Sequence, residues 1–317
     1  MSSSAPAVRR SGEGDGPALA PTSGKRRRRD LTPYLFAAGA SAYLLMFMAL
    51  PLGRGVWLSF TDTKLLNPTG GSFVGTENYQ RLLGDDGFYD SLLTTLLYSG
   101  ATVLGSLLLG TVAAVAINDN FRGRTVARAV LTLPWAVPAV AVALVFAWIY
   151  NVDSGVANRG MRGLALGEKG WLTDPSWGLF SVTLASVWKV FPFVMLVVLA
   201  ALQSVPQELR EAARVDGADS LSAFRAIVLP HLVPTLRIVA LLMTIWSFRR
   251  FEIIYLLTGG GPVDVTNTIV INVYREAFQN SNLGRAAALG VLGLILSLVV
   301  TVVYFMLERR TEKREGS

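Results

Sequence analysis

Six long apolar runs set the terms for this 317-residue chain. They fall at about Leu31–Leu52, Leu92–Ile117, Val126–Ile149, Leu179–Leu202, Leu232–Leu257 and Ala286–Leu307. Each is near the roughly 20 residues that cross a bilayer core. The expected fold class is therefore an all-α membrane protein with six transmembrane helices. Composition agrees, because charged residues make up only 16% of the chain, against about 25% in soluble domains.

An even number of spans returns both termini to the same side. Seventeen of the 29 Lys and Arg residues lie on that side: in residues 1–30, around Asn118–Arg128, around Glu211 and after Glu308. Eight lie in the opposite loops. Short basic loops stay in the cytoplasm, so both termini are expected there, in a multi-pass plasma-membrane protein. Residues 1–30 are rich in Ser, Pro, Gly and Ala, and they hold Lys25 and Arg26 to Arg29. They have no apolar face to bury and read as a disordered basic segment. Residues 31–308 form the transmembrane domain and 309–317 a tail.

Several kinds of chemistry are excluded by what is missing. Without cysteine there is no thiolate ligand or thiol nucleophile. One histidine, His231, is no basis for a metal site. No Gly-x4-Gly-Lys-Ser/Thr sequence cradles a nucleotide phosphate, and no nucleophile–base set suits covalent catalysis. The expectation is a non-enzymatic chain with no cofactor and no metal. Its partners are membrane lipid and other proteins, with no role for nucleic acid.

One stretch between two spans is far too polar for the bilayer. From Glu211 to Pro230 it reads EAARVDGADSLSAFRAIVLP. Its order suggests helix, turn, helix. Ser204 is placed to N-cap the first helix, with Gln207 completing a capping box. Gly217 is placed to end that helix in a left-handed turn. Ser220 is placed to cap the second, and Pro230 and Pro234 to break or kink the path into the next span. Ala212 and Ala213 leave the backbone open to close approach by another surface.

Glu211-Ala-Ala, then Gly217, then Ile227-x-Leu-Pro230 resembles the EAA loop of ABC-importer permeases. The resemblance implies a type I importer permease core whose loop, about residues 203–231, is a coupling helix. Glu211, Ala212, Ala213, Asp216 and Gly217 would meet a separate ATPase there. It also implies two such ATPase subunits, a second homologous permease, an extracytoplasmic solute-binding protein and a bacterial cell membrane. The segments Phe73–Tyr79, Thr258–Pro262 and Tyr274–Phe278 resemble the sugar-permease subfamily, in which such outer loops face the binding protein.

Polar residues inside spans are costly and face a cavity or a partner. Lys189, Arg249, Arg250 and Glu252 are such residues here. On residue type alone they read equally as a solute site or as a structural ion pair of Glu252 with Arg249 or Lys189. The register to the larger permease of maltose transporters implies solute contacts at Lys189, Val190, Phe193, Met243, Ser247, Arg250 and Glu252. The charged residues depart from that subfamily and favour a sugar other than maltose, or an anionic polyol phosphate. On an ideal helix Met243, Ser247 and Arg250 share a face, whereas Glu252 points about 200° from Arg250. Glu252 then reads as a partner for a neighbouring helix. An ion-coupled secondary transporter and a non-transporting scaffold are the rival readings, and neither accounts for the Glu211 stretch.

Overall fold

The computed structural model describes residues 32–217 and 219–315. The segment expected to be disordered, residues 1–30, lies outside the described residues. The chain divides into two compact units, residues 1–50 and 51–317. The described part of the first is α1 (Thr32–Leu44) and a π-helical turn (Leu45–Ala49). Its side chains from Ala37 to Leu50 are all exposed, as a span facing lipid requires.

The chain continues through α2 (Leu50–Leu58), α3 (Glu77–Leu83), α4 (Asp86–Ala116), α5 (Arg124–Ala136) and α6 (Ala139–Ile149). Then come α7 (Val156–Gly163), α8 (Pro175–Gln203), α9 (Gln207–Val215) and α10 (Ser220–Ala223). A π turn (Phe224–Val228) leads into α11 (Leu229–Phe248), followed by α12 (Glu252–Thr258) and α13 (Ile269–Tyr274). A second π turn (Arg275–Gln279) precedes α14 (Leu283–Glu315). Among the described residues there are isolated β-bridges but no strand.

Among the described residues, five helical stretches are long and apolar enough to cross a membrane: Ala37–Leu58, Asp86–Ala116, Pro175–Gln203, Leu221–Phe248 and Leu283–Met306. The expected third span is a pair, α5 and α6, bent by 100°. Proline chemistry explains the bend. Pro134 and Pro138 each lack the N–H that would bond four residues back. Pro138 also pushes Val137 out of helical geometry, and Val137 sits at φ −71°, ψ 133°.

The expected fifth span also shifts. It starts at Leu221 rather than Leu232 and stops at Phe248 rather than Leu257. Pro230 and Pro234 do not break it. The π turn ahead of Pro230 uses i→i+5 bonds, including Leu229 N–H to the Phe224 carbonyl, and carries the helix past the lost donors.

At the centre of the second unit, α4 packs along α8. The buried stripe of α4 includes Ser91, Thr95, Tyr98, Thr102, Ser106 and Gly110, spaced at three and four residues. Apolar burial offers little gain between helices in lipid, so close van der Waals fit and interhelical hydrogen bonds hold them together. A Cβ on Gly110 would lie 2.6 Å from Val194 Cβ and 2.9 Å from the Phe191 carbonyl oxygen. The Tyr98 hydroxyl and Ser186 Oγ, 2.7 Å apart, bond across the same seam. Trp171 is buried. It stacks on Tyr150 and donates its Nε1–H to Asn158 Oδ1 at 2.9 Å.

Candidate functional site

The bend between α5 and α6 leaves carbonyl oxygens without helical donors, and a side chain from α8 satisfies them. Lys189 Nζ donates to the carbonyls of Pro134 at 3.1 Å, Trp135 at 2.8 Å and Val137 at 2.5 Å. An ammonium has three N–H donors, and three acceptors converge on it. They lie at the C-terminal end of α5, where the helix dipole favours a cation. The same ammonium sits 5.6 Å from the Trp135 ring centroid. The ion pair with Glu252 that the sequence left open does not form.

Beside this clamp three aromatic rings from three helices meet. Trp135 of α5, Phe193 of α8 and Trp246 of α11 have centroids 5.3 Å (Trp135–Phe193), 5.0 Å (Phe193–Trp246) and 5.7 Å (Trp135–Trp246) apart. Trp135 is 39% exposed, while Phe193 and Trp246 are half-buried. Residue type and register brought Phe193 forward, and the two tryptophans come only from the structure. Val190, Met243 and Ser247 do not join the exposed surface, being buried to 1%, 2% and 3% exposure. Ser247 Oγ donates to the Met243 carbonyl at 2.7 Å, so its hydroxyl is turned into its own helix.

The reading of Arg250 and Glu252 on one ideal helix is corrected by the backbone. α11 ends at Phe248 and α12 begins at Glu252, so Arg250 lies in a break where helical-wheel angles do not apply. Arg249 and Glu252 are exposed and Arg250 is half-buried. Among the described residues no ion pair involves any of the three. Arg250 lies within electrostatic range of both Lys189 and Tyr98. No cluster of three or more His, Asp or Glu side chains among the described residues could hold a metal.

The stretch after α8 forms the expected helix, turn, helix with different caps. Ser204 closes α8 and does not open α9. Its Oγ donates to the Ala201 carbonyl at 2.8 Å and lies 3.0 Å from His231 Nε2. Gln207 reaches forward to Glu211 Oε1 at 2.6 Å instead of back to a cap. Gly217 has φ +76°, as expected for the residue that ends α9. The cap of α10 is Asp219, not Ser220, since its Oδ1 accepts the Ser222 N–H at 3.1 Å. Hydrogen bonds from Ser222 hold the Asp219 carboxyl below the usual carboxylate range.

Glu211, Val215, Asp216 and Gly217 are exposed and Ala213 is half-buried, whereas the side chain of Ala212 lies outside the described residues. Leu209 and Val215, at 51% and 87% exposure, are the apolar side chains left exposed on α9 among the described residues.

The glycine-rich turn after α12 is held from α13 and the turn that follows it. Arg275 pairs with Asp264 at 2.5 Å and donates to the Gly259 carbonyl at 2.8 Å. Asn78, in the segment singled out at Phe73–Tyr79, donates to the carbonyls of Ser59 and Thr61 at 2.9 and 2.8 Å. These contacts brace the loops and put no reactive group forward.

Comparison with known proteins places this architecture. Residues 106–313 match the family described as binding-protein-dependent transport system inner membrane component. The chain is 35% identical over 288 residues to the trehalose/maltose transport system permease protein MalF of Thermococcus litoralis, covering 91% of this chain and 97% of that one. It is 33% identical over 279 residues to the sulfoquinovosyl glycerol transport system permease protein SmoG of Agrobacterium fabrum, covering 88% and 91%. Among solved structures, a chain of a bacterial ABC transporter for the acidic polysaccharide alginate superposes with a TM-score of 0.77 at 25% identity. That match covers 89% of this chain and 96% of that one. The bent span, the central α4–α8 pair and the exposed helix–turn–helix are thus parts of a type I importer fold, and the chain belongs to the binding-protein-dependent transport system inner membrane components, as the permease subunit of such an importer.

Proposed function

We propose that this permease forms half of the pathway of an ATP-driven carbohydrate importer. It would pair with a second homologous permease, two ATPase subunits and an extracytoplasmic solute-binding protein. Both termini and α9 face the cytoplasm in this reading. The observation that carries it is the exposed α9, with Leu209 and Val215 uncovered and Gly217 closing the helix. A short charged helix with bare apolar residues suits a groove on another protein. Glu211, Ala212, Ala213, Asp216 and Gly217 would line that contact.

Carbohydrate as the solute is supported by the Trp135, Phe193 and Trp246 rings, because the C–H faces of sugars stack on aromatic planes. Relatives named for trehalose/maltose, sulfoquinovosyl glycerol and alginate point the same way. Phe193, Trp135, Trp246 and Arg250 are then the solute-facing group. Lys189 holds the wall in place, Val190, Met243 and Ser247 back it, and Glu252 sits at its rim.

The test is purification of the tagged chain in mild detergent, identification of co-eluting subunits by mass spectrometry, and reconstitution for sugar uptake. A second permease, an ATPase and strictly ATP-dependent uptake are expected. Uptake driven by an ion gradient with no ATPase bound would sink the proposal. A cytoplasmic reporter should be active after Ser317 and an extracytoplasmic one near Gly160.

A further inference from the structure

Arg250 is a cation with no counter-charge among the described residues. Its Nε is buried and has no hydrogen-bond partner among the described residues. Glu252 is two residues away, yet the two form no ion pair. Four other arginines among the described residues do have carboxylate partners: Arg81 with Glu77, Arg162 with Glu168, Arg275 with Asp264 and Arg285 with Asp85. A half-buried guanidinium without an anion is expensive to maintain.

The neighbourhood adds positive charge. Lys189 lies within electrostatic range of Arg250. Its three donors are spent on the carbonyls of Pro134, Trp135 and Val137, which satisfy its hydrogen bonds but do not neutralise it. Lys189 therefore contributes potential and has no donor left for a ligand. Arg250 has an intact planar fork of donors, which suits two oxygens of one acidic group. Trp246 lies in the last turn of α11, and Arg250 follows in the break just beyond it.

We infer that Arg250 reads an anionic group on the transported carbohydrate, and that the solute is an acidic sugar such as a uronate, a sugar sulfonate or a sugar phosphate. The inference rests on the import reading above and narrows it. Aromatic stacking accepts neutral and acidic sugars alike, whereas an unpaired guanidinium beside a second cation favours the acidic ones.

The experiment uses the complete importer in proteoliposomes. A uronate disaccharide, a hexose 6-phosphate and a sulfonated hexose are each compared with the neutral parent sugar. Uptake, solute-stimulated ATP hydrolysis, capture by the binding protein and complex yield are read in parallel. Wild type should favour at least one acidic sugar over its parent by about tenfold or more. Arg250→Gln should lower that uptake by about the same factor and neutral-sugar uptake much less, so that the preference is lost, with capture and yield unchanged. Arg250→Lys should restore part of it. ATP-dependent uptake with no preference for any acidic sugar over its neutral parent, in wild type and Arg250→Gln alike, would overturn the inference and leave the importer reading intact. A fall in complex yield with solute preference unchanged would overturn it too, by assigning Arg250 to a carboxylate of the second permease.

Discussion

The Lys189 ammonium donates to the Trp135 carbonyl at 2.8 Å and also overhangs the Trp135 ring at 5.6 Å. One cation thus fixes both the backbone and the side chain of an exposed aromatic residue. Lys189→Met keeps the length of the side chain and removes every donor. It should cost about 1–3 kcal/mol, because three carbonyls, two of them in part-buried contacts, lose charge-assisted bonds. Thermal unfolding of the detergent complex should shift downward, and tryptophan fluorescence should change as Trp135 is released. Lys189→Arg should recover only part, because a flat guanidinium does not fit three converging acceptors. An unchanged melting temperature for Lys189→Met would show that the clamp is dispensable.

The turn at Gly217 should tolerate few side chains. Its φ of +76° suits glycine and costs L-residues about 1–2 kcal/mol. Gly217→Asp and Glu211→Lys should insert normally and abolish solute-stimulated ATP hydrolysis. Gly217→Asn should be the mildest replacement, since asparagine enters the left-handed region most easily. Normal stimulation in both Gly217→Asp and Glu211→Lys complexes would separate α9 from the ATPase contact.

At the α4–α8 seam, Gly110→Val should be among the most damaging apolar changes in the chain. A Cβ alone would lie 2.6 Å from Val194 Cβ, and backbone at the Phe191 carbonyl blocks any retreat. Overpacking of this kind costs roughly 1–3 kcal/mol or more. Yield after detergent extraction should fall sharply, whereas Gly100→Ala, with nothing within 4 Å of the added carbon, should be neutral.

Asp219 gives the loop a pH dependence whose sign is fixed. Its carboxyl titrates below its ordinary value because Ser222 donates to the charged form. The cap is therefore complete above about pH 3.9, the unfolded value, and is lost as pH falls through the lower folded value. Amide protection factors over Leu221–Ala223, corrected for the intrinsic pH dependence of exchange, should be highest at neutral pH and fall on acidification. Asp219→Asn should flatten that response, and Asp219→Ala should lower protection at neutral pH and match the wild type once Asp219 is protonated.

Much of this was legible in the sequence because the strongest signals are local. Apolar runs report spans whatever they pack against, and the Glu211–Pro230 order reports a helix–turn–helix with its left-handed glycine. The caps were misjudged because the Ser204 hydroxyl bonds back into α8 and Asp219 takes the capping position expected of Ser220, and only the three-dimensional path decides either. Lys189 was read as a ligand of solute or of Glu252, since a lone intramembrane lysine carries no mark of its partner. The available clue was the Pro134–Pro138 spacing, which frees carbonyls that some donor must fill. Arg250 and Glu252 were misplaced because the end of α11 at Phe248 has no proline or glycine to announce it. Trp135 and Trp246 belong to different spans, and their meeting is a tertiary fact.

α8 and α9 are separated by only three residues, Ser204 to Pro206. Lys189 lies 14 residues before the end of α8 at Gln203, about 21 Å along its axis. If α9 couples to an ATPase as proposed, α8 would act as a pushrod between α9 and Lys189. Its buried serines and valines pack along α4, so a push on α9 would not be absorbed by α8 sliding alone. The stroke would reach Lys189, which holds the bent span by its backbone, and would turn Trp135 with it. Force applied at one surface of the bilayer would then be felt as a change in the shape of an aromatic wall deep within it.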